Sequence, residues 1–344
     1  MSEEREPNHA PPQVGPSRSR RVEGVGPHLA RNGRLLLAFG ILIVLLAIYI
    51  ERVPQFGARE QRSVINQGLA LTMAGFGQTV VVLTGGIDLS IGSMIGLTNS
   101  VASRITTEDS QSRVWLAAFV CLGIGALGGM VNGVIVAYGR LQPIIVTLAT
   151  SSVFSGIALY VRPTPAGKFP FEATQFWTGS MEFRQWPRGI VWLGLLIVLW
   201  LVFRRTRLAT RIIAIGSSEG AAFMSGVNVN LTKVAAYTIS GMAAGGAGFY
   251  LTVQTGNGNA LSGGAYTLNS IAAVVLGGAS LAGGAGTFMG TIAGAYTIAL
   301  IPRVLFFYDV SQFYQQLLQG LVLLGSVGLG AAGVLRARNR LDKV

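Results

Sequence analysis

Asp88 is an acid in apolar surroundings, and that placement asks for a chemical reason. It stands in the run Val80–Gly96, VVVLTGGIDLSIGSMIG, and no other acid occurs between Glu60 and Glu108. A carboxylate at membrane depth is costly, so it must be bonded locally or serve a pathway. Gly85-Gly86 breaks the hydrophobic helix, and Asp88 with Ser90 is suited to cap its resumption. Two roles stay open for Asp88: a cap in a tight cytoplasmic turn, or part of a discontinuous helix that holds a gate or meets substrate hydroxyls.

A related phrase recurs at Val274–Gly290, VVLGGASLAGGAGTFMG, with the same Val-Val-Leu, a glycine pair and a leucine followed by a small residue. Paired glycine-interrupted segments of this kind flank transport sites in duplicated membrane proteins. Gly283-Gly284-Ala285-Gly286 is not a phosphate loop, because no Lys-Ser/Thr follows it. His9 and His28 lie in the polar N-terminal tail, and Cys121 is the single cysteine. Neither catalytic residues, a metal set nor a cofactor is therefore expected, and Cys121 reads as a small packing residue.

What remains is hydrogen-bonding chemistry. Asn66, Gln67, Gln78, Asn99, Asn132, Gln254, Asn269, Gln315 and Gln316 are scattered through the apolar runs. Taken singly, each can bond across helices; taken together, they suit a neutral, hydroxyl-rich solute. Gln78, Asp88, Ser90, Asn132 and Asn269 are the candidates for its pathway. A proton-driven carrier needs carboxylates or histidines inside the membrane, and this chain has almost none besides Asp88. The energy source is expected outside the chain.

A second constellation fills the basic stretch from Arg204 to Lys233, RRTRLATRIIAIGSSEGAAFMSGVNVNLTK. Ser217 and Ser218 can cap a short helix, Glu219 suits the positive end of its dipole, and Gly226 supplies a stop. Between them Ala221, Ala222, Phe223 and Met224 place apolar side chains in water. Physical chemistry alone leaves two readings, a protein-docking surface or an interfacial helix whose arginines touch anionic lipid.

These residues must be positioned by membrane helices. The chain of 344 residues is 51% hydrophobic and 12% charged, with apolar runs from Leu35 to Val334. That composition predicts an all-α, polytopic membrane protein. Spans are expected near 34–50, 64–84, 87–105, 114–138, 141–161, 189–203, 233–254, 268–284, 286–308 and 312–334, about ten transmembrane helices. The span 189–203 is short, and Pro302 and Arg303 are expected to break 286–308.

Glycine makes up 47 of 344 residues. The spacings Gly92/Gly96, Gly125/Gly129, Gly241/Gly245 and Gly286/Gly290/Gly294 are those of closely packed membrane helices. Residues 1–33 read as a disordered tail, 34–334 as the transmembrane domain with a cytoplasmic loop at 204–232, and 335–344 as a basic tail. The first apolar run leads into Glu51-Arg52 rather than a cleavage site, so it is expected to stay in the membrane. An even number of spans puts both termini on one side. The tails, Arg140 and the central loop carry 16 of the 26 basic residues, which makes that side cytoplasmic. The net charge of +12 is a matter of topology and lipid; no aromatic-interleaved groove for nucleic acid is present.

The runs VVVLTGGIDLSIGSMIGL, AIGSSEGAAFMSGVNV and LNSIAAVVLGGASLAGGAGTFMGTIAGA resemble, in this order, the permease subunits of sugar ATP-binding cassette (ABC) importers of the ribose, xylose, galactose and autoinducer-2 type. The similarity runs roughly from Val64 to Leu329. It implies the ABC importer permease fold, without enzymatic activity of its own, in the bacterial inner membrane. It also implies three partners: a cytoplasmic ATP-binding cassette ATPase, a periplasmic sugar-binding protein, and a second permease chain, identical or paralogous.

In that family the central loop carries the coupling helix, which here maps onto Ser217–Gly226 with Ala221, Ala222 and Gly226 matching. Phe223 stands where relatives often have Arg, and Gly220 where they have a better helix former. The outer segment Arg162–Arg188, with Phe169, Phe171, Phe176, Trp177, Phe183 and Trp186, fits an aromatic belt or a seat for the binding protein. A branched-chain amino-acid ABC permease is the nearest alternative and a stand-alone secondary carrier a more distant one. The uncharged spans favour a monosaccharide or polyol over a zwitterion.

Overall fold

The computed structural model describes residues 26–325 except 55, 107–110, 182–184, 312, 315, 316, 319, 322 and 323. Among them the chain is helical, and the only extended pairings are two isolated bridges, Ala166 with Gly258 and Ser180 with Pro187. In chain order the helices are α1 (Gly26–Arg52), α2 (Ala58–Leu83), α3 (Ile91–Ile105), α4 (Ser112–Tyr138), α5 (Pro143–Val161) and α6 (Phe171–Thr178). They continue with α7 (Gly189–Arg204), α8 (Arg207–Ser217), α9 (Glu219–Met224), α10 (Val229–Thr255), α11 (Gly264–Leu276) and α12 (Phe288–Phe307).

Nine expected spans correspond to α1–α5, α7 and α10–α12. The helix α1 starts at Gly26, inside the stretch read as a tail. The rest of that tail, the basic tail 335–344, Gln315, Gln316, Phe183 and much of the tenth span lie outside the described residues. By length and apolarity, four described helices can cross a membrane unaided, namely α1 from Leu35, α4, α5 and α12; a fifth forms if α7 and α8 count as one bent span. The inner helices α2, α3 and α10 are sheathed by protein, so they need not be apolar all round.

Helix α10 is the hub, packed along α4 and against α2 and α3. Small residues make the approach possible. A Cβ at Gly129 would land on the Tyr237 carbonyl, and one at Gly125 on the Gly241 carbonyl. The other predicted spacings find partners too: Gly92 and Gly96 face Gly263 and Ala260, Gly290 faces Gly277, and Gly294 faces Ala273. Cys121, fully buried in α4, donates its thiol to the Thr98 carbonyl at 3.3 Å, as a packing residue would.

Helix α12 runs unbroken through Pro302, contrary to the expected break. The Arg303 guanidinium that follows is satisfied by protein: it donates to Ser63 Oγ at 2.6 Å, to Tyr49 OH at 3.3 Å, and to the Gln67 side chain. Asn66 and Asn99 also bond across helices. Asn66 donates to the Thr178 carbonyl at 2.7 Å and accepts from Tyr250 OH at 3.1 Å. Asn99 donates to Thr252 Oγ1 at 2.8 Å and accepts from the Asn259 amide at 2.6 Å. These three polar residues are structural ties.

The outer segment divides its aromatics. Trp177 of α6 stacks on Trp192 of α7 with centroids 4.2 Å apart and, with Phe169, is buried. Phe171, Phe176 and Trp186 stay exposed.

Gly129→Leu is expected to cost roughly 1–3 kcal/mol or more through overpacking against α10. Gly123→Leu, six residues earlier on the same helix with no atom near its Cβ position, is expected to be tolerated. Thermal unfolding of the detergent-solubilised proteins tests the contrast, and equal stabilities would contradict the packing described.

Candidate functional site

Between α2 and α3 the chain turns sharply. Gly85 adopts φ +82; its amide donates to the Val82 carbonyl at 2.9 Å and the Gly86 amide to the Val81 carbonyl at 3.3 Å. The related phrase after α11 closes in the same way. Gly278 adopts φ +86, its amide donates to the Val275 carbonyl at 2.9 Å, and the Ala279 amide to the Val274 carbonyl at 3.1 Å. The sequence similarity is thus also a similarity of turn geometry, in which only glycine sits without strain at the left-handed position.

Asp88 lies past the first turn with 1% of its surface exposed. Its Oδ1 accepts from the Ser90 amide at 2.9 Å and from Ser90 Oγ at 2.6 Å, and its Oδ2 accepts from Ser240 Oγ of α10 at 2.8 Å. Ser90 Oγ in turn accepts from Asn132 Nδ2 of α4 at 2.8 Å. The carboxylate is therefore a staple, tying the turn to α10 directly and to α4 through Ser90. Ser90 occupies the cap position of α3 but makes no side-chain cap bond to the helix; its hydroxyl is committed to Asp88. Ser240, 152 residues away, is the partner that sequence reasoning missed, because nothing local marks it.

Of the other candidates, Gln78 is fully buried in α2 with neither amide atom partnered, and Asn132 Oδ1 is also unpartnered. Tyr237 OH is a further buried orphan; a Cβ on Gly86 would come within 2.5 Å of it. Asn269 is half-buried on α11. The first four sequence candidates thus divide into a saturated pair, Asp88 and Ser90, and two residues with hydrogen-bonding capacity to spare.

The basic stretch is more ordered than the loop expected for 204–232. Helix α8 leaves α7 at 75°. Ala209, Ile212 and Ile215 point into the bundle while Arg207, Thr210 and Arg211 face out, the pattern of a helix lying on a surface. Ser217 belongs to the end of α8, where its Oγ bonds the Ile213 carbonyl at 2.9 Å, so it is not a cap. Ser218 is: its Oγ accepts from the Ala221 amide at 3.3 Å.

Glu219 opens α9 and pairs with Lys233 Nζ at 2.8 Å. Past Met224 the chain closes through the Gly226 amide to the Phe223 carbonyl at 3.0 Å and the Val227 amide to the Ala222 carbonyl at 3.1 Å. Ala222 is buried against Ile215 and Val229. Ala221 is exposed, and Phe223 and Met224 are 71% and 82% exposed. A short, firmly seated helix thus presents two large apolar side chains outward.

The model of the family described as branched-chain amino acid transport system / permease component matches residues 62–327. The chain belongs to this permease family. The ribose import permease protein of Escherichia coli strain K12 is 36% identical over 295 residues, spanning 83% of this chain and 90% of that relative. The galactose/methyl galactoside import permease protein of the same strain is 29% identical over 316 residues, spanning 87% and 94%. Its D-allose transport system permease protein is 30% identical over 296 residues, spanning 85% and 90%. No solved structure matches the chain. In this permease the Asp88 staple joins α3, α10 and α4, and α9 is seated against the start of α10 through Ala222 and Val229.

Asp88→Ala leaves the Ser90 and Ser240 hydroxyls without their acceptor, at about 1–3 kcal/mol for each group stranded. Asp88→Asn keeps one acceptor oxygen and is expected to retain most of the stability and of any transport. Thermal unfolding measured beside uptake decides: a stable Asp88→Asn protein that no longer transports would move Asp88 from staple to pathway.

Proposed function

We propose that this permease is the translocation subunit of an ATP-binding cassette importer that carries a monosaccharide or polyol across the bacterial inner membrane, with ATP hydrolysed by a separate cytoplasmic ATPase. The observation that carries this reading is α9, with Phe223 and Met224 bare to water on a helix whose other face is anchored by Ala222. An exposed apolar patch held rigidly suits a docking surface, and its setting among arginines supports the cytoplasmic side. The arginines of α8 rest at the lipid surface while α9 meets protein, so each of the two sequence readings applies to one helix.

The remaining partners follow the same layout. Both termini are cytoplasmic, a second permease chain completes the membrane domain, and a periplasmic sugar-binding protein seats on the outer segment around Phe171, Phe176 and Trp186. The sugar assignment draws on the ribose, galactose and allose permeases among the relatives and on the uncharged polar groups of the spans. A branched-chain amino acid would bring a full carboxylate and ammonium, for which the described inner helices hold no matching pair.

Along the route we assign Gln78 and Asn132 Oδ1 as the groups free to exchange hydrogen bonds with solute hydroxyls; Asp88 and Ser90 hold the turn. Transport is by alternating access, in which ATP binding draws the coupling helices of two permease chains together and the bundles tilt.

Phe223→Asp is expected to weaken ATPase association by roughly tenfold to a hundredfold or more, as loss of a central aromatic anchor does. ATP-driven uptake should fall with it while the permease remains in the membrane. Co-purification of the ATPase together with vesicle uptake measures this; unchanged association would remove α9 as the docking helix.

A further inference from the structure

Three segments distant in sequence meet backbone to backbone at the root of α9. The Gly284 amide, in the turn before α12, donates to the Leu83 carbonyl at the end of α2 at 3.1 Å, so one hydrogen bond ties the root of the Gly85 turn to the Gly283–Gly284 turn. Gly216, in the last turn of α8, lies directly over that bond. A methyl group there would fall on the Leu83 carbonyl oxygen and within 2.5 Å of the Gly284 nitrogen. The neighbours are equally tight: a Cβ on Gly283 would stand 2.8 Å from both the Gly216 carbonyl and the Gly85 amide, and one on Gly284 would stand 3.0 Å from the Ser217 backbone.

At Gly216 the contact is main chain on main chain, so no side chain lies between that residue and Leu83 or Gly284 to absorb a displacement. Packed interiors transmit strain rather than dissipate it. On one side of the junction, Glu219 opens α9 three residues after Gly216. On the other, Asp88 follows Gly85 by three residues and binds Ser240 of α10 and, through Ser90, Asn132 of α4.

We propose that Gly216 is a positioning residue of transport. It couples the docking helix at once to the Gly85 turn and to the Gly283–Gly284 turn before α12, so that movement of α9 shifts the Leu83–Gly284 bond and with it the Asp88 staple. This rests on reading α9 as the ATPase-docking helix. It adds that the force enters the membrane domain through the backbone at Gly216 and not through α10, which continues the chain after α9.

Cysteine chemistry gives a direct test, because the one native thiol, Cys121, is buried. Leu89→Cys places a half-buried reporter beside Asp88. In vesicles holding the permease–ATPase complex, its rate of reaction with a maleimide is expected to differ by about fivefold or more between nucleotide-free and ATP-bound states. Adding Gly216→Ala should remove that difference and ATP-driven uptake while the ATPase still co-purifies. Gly194→Ala, on α7 with open space around it, should do neither.

A Gly216→Ala protein that keeps both the labelling difference and uptake overturns the proposal. If Gly216→Ala does not reach the membrane, the Leu89→Cys protein alone decides: ATP-driven uptake with no labelling difference overturns the junction while leaving the docking helix in place. Loss of ATP-driven uptake in the reporter protein's parent chain would instead point to failure of the importer reading itself.

Discussion

Hydrocarbon offers no hydrogen bonds, and among the described residues the breaks after α2 and α11 are closed by the chain itself. This constraint shapes the turns after Leu83 and Leu276, each sealed by paired backbone bonds around a left-handed glycine. It also fixes what surrounds them. A carboxylate placed at the first turn must accept hydrogen bonds from protein, and Asp88 takes three from Ser90 and Ser240. Because those donors sit on different helices, satisfying one buried acid also sets the relation of α3 to α10 and, through Asn132, to α4.

The same end of the bundle carries the exposed apolar surface of α9. The face of α8 bearing Ala209 and Ile212 enters a cluster with Val80, Leu83, Trp200 and Phe288, which anchors the ledge from which α9 projects. Ala222 and Val229 secure α9 from beneath. Phe223 and Met224 are consequently held out by a fixed base, whose root at Gly216 touches the end of α2 and the turn before α12. The fold thus supplies stiffness at the base of α9, where the proposed ATPase would act.

Much of this was legible in the sequence, for identifiable reasons. Apolar runs located nine helices, with ends off by up to eight residues at α1 and α11, and small-residue spacings marked surfaces that do meet. Gly226 as a stop and the paired glycine turns were read from local conformational preference alone. Interactions between distant segments were not legible. Ser240 looks like any serine in a helix until α10 is laid against the turn at Asp88, and Gly216 differs from the other glycines only through Leu83 and Gly284. Helix α8 escaped notice because its apolar residues alternate with arginines on a helical period, which reads as a basic loop when charge is weighed before periodicity. The cap fell on Ser218 rather than being shared with Ser217, a distinction of one residue that side-chain direction decides. Pro302 failed to break α12, where tertiary packing outweighs a lost backbone bond.

The central claim is that this permease moves its solute only when driven by a cytoplasmic ATPase. Uptake of radiolabelled ribose, galactose and related monosaccharides into vesicles, with the permease alone or with its ATPase, ATP and the sugar-binding protein, measures it most directly. The account predicts accumulation only in the complete, ATP-supplied system; equal uptake by the permease alone would contradict it.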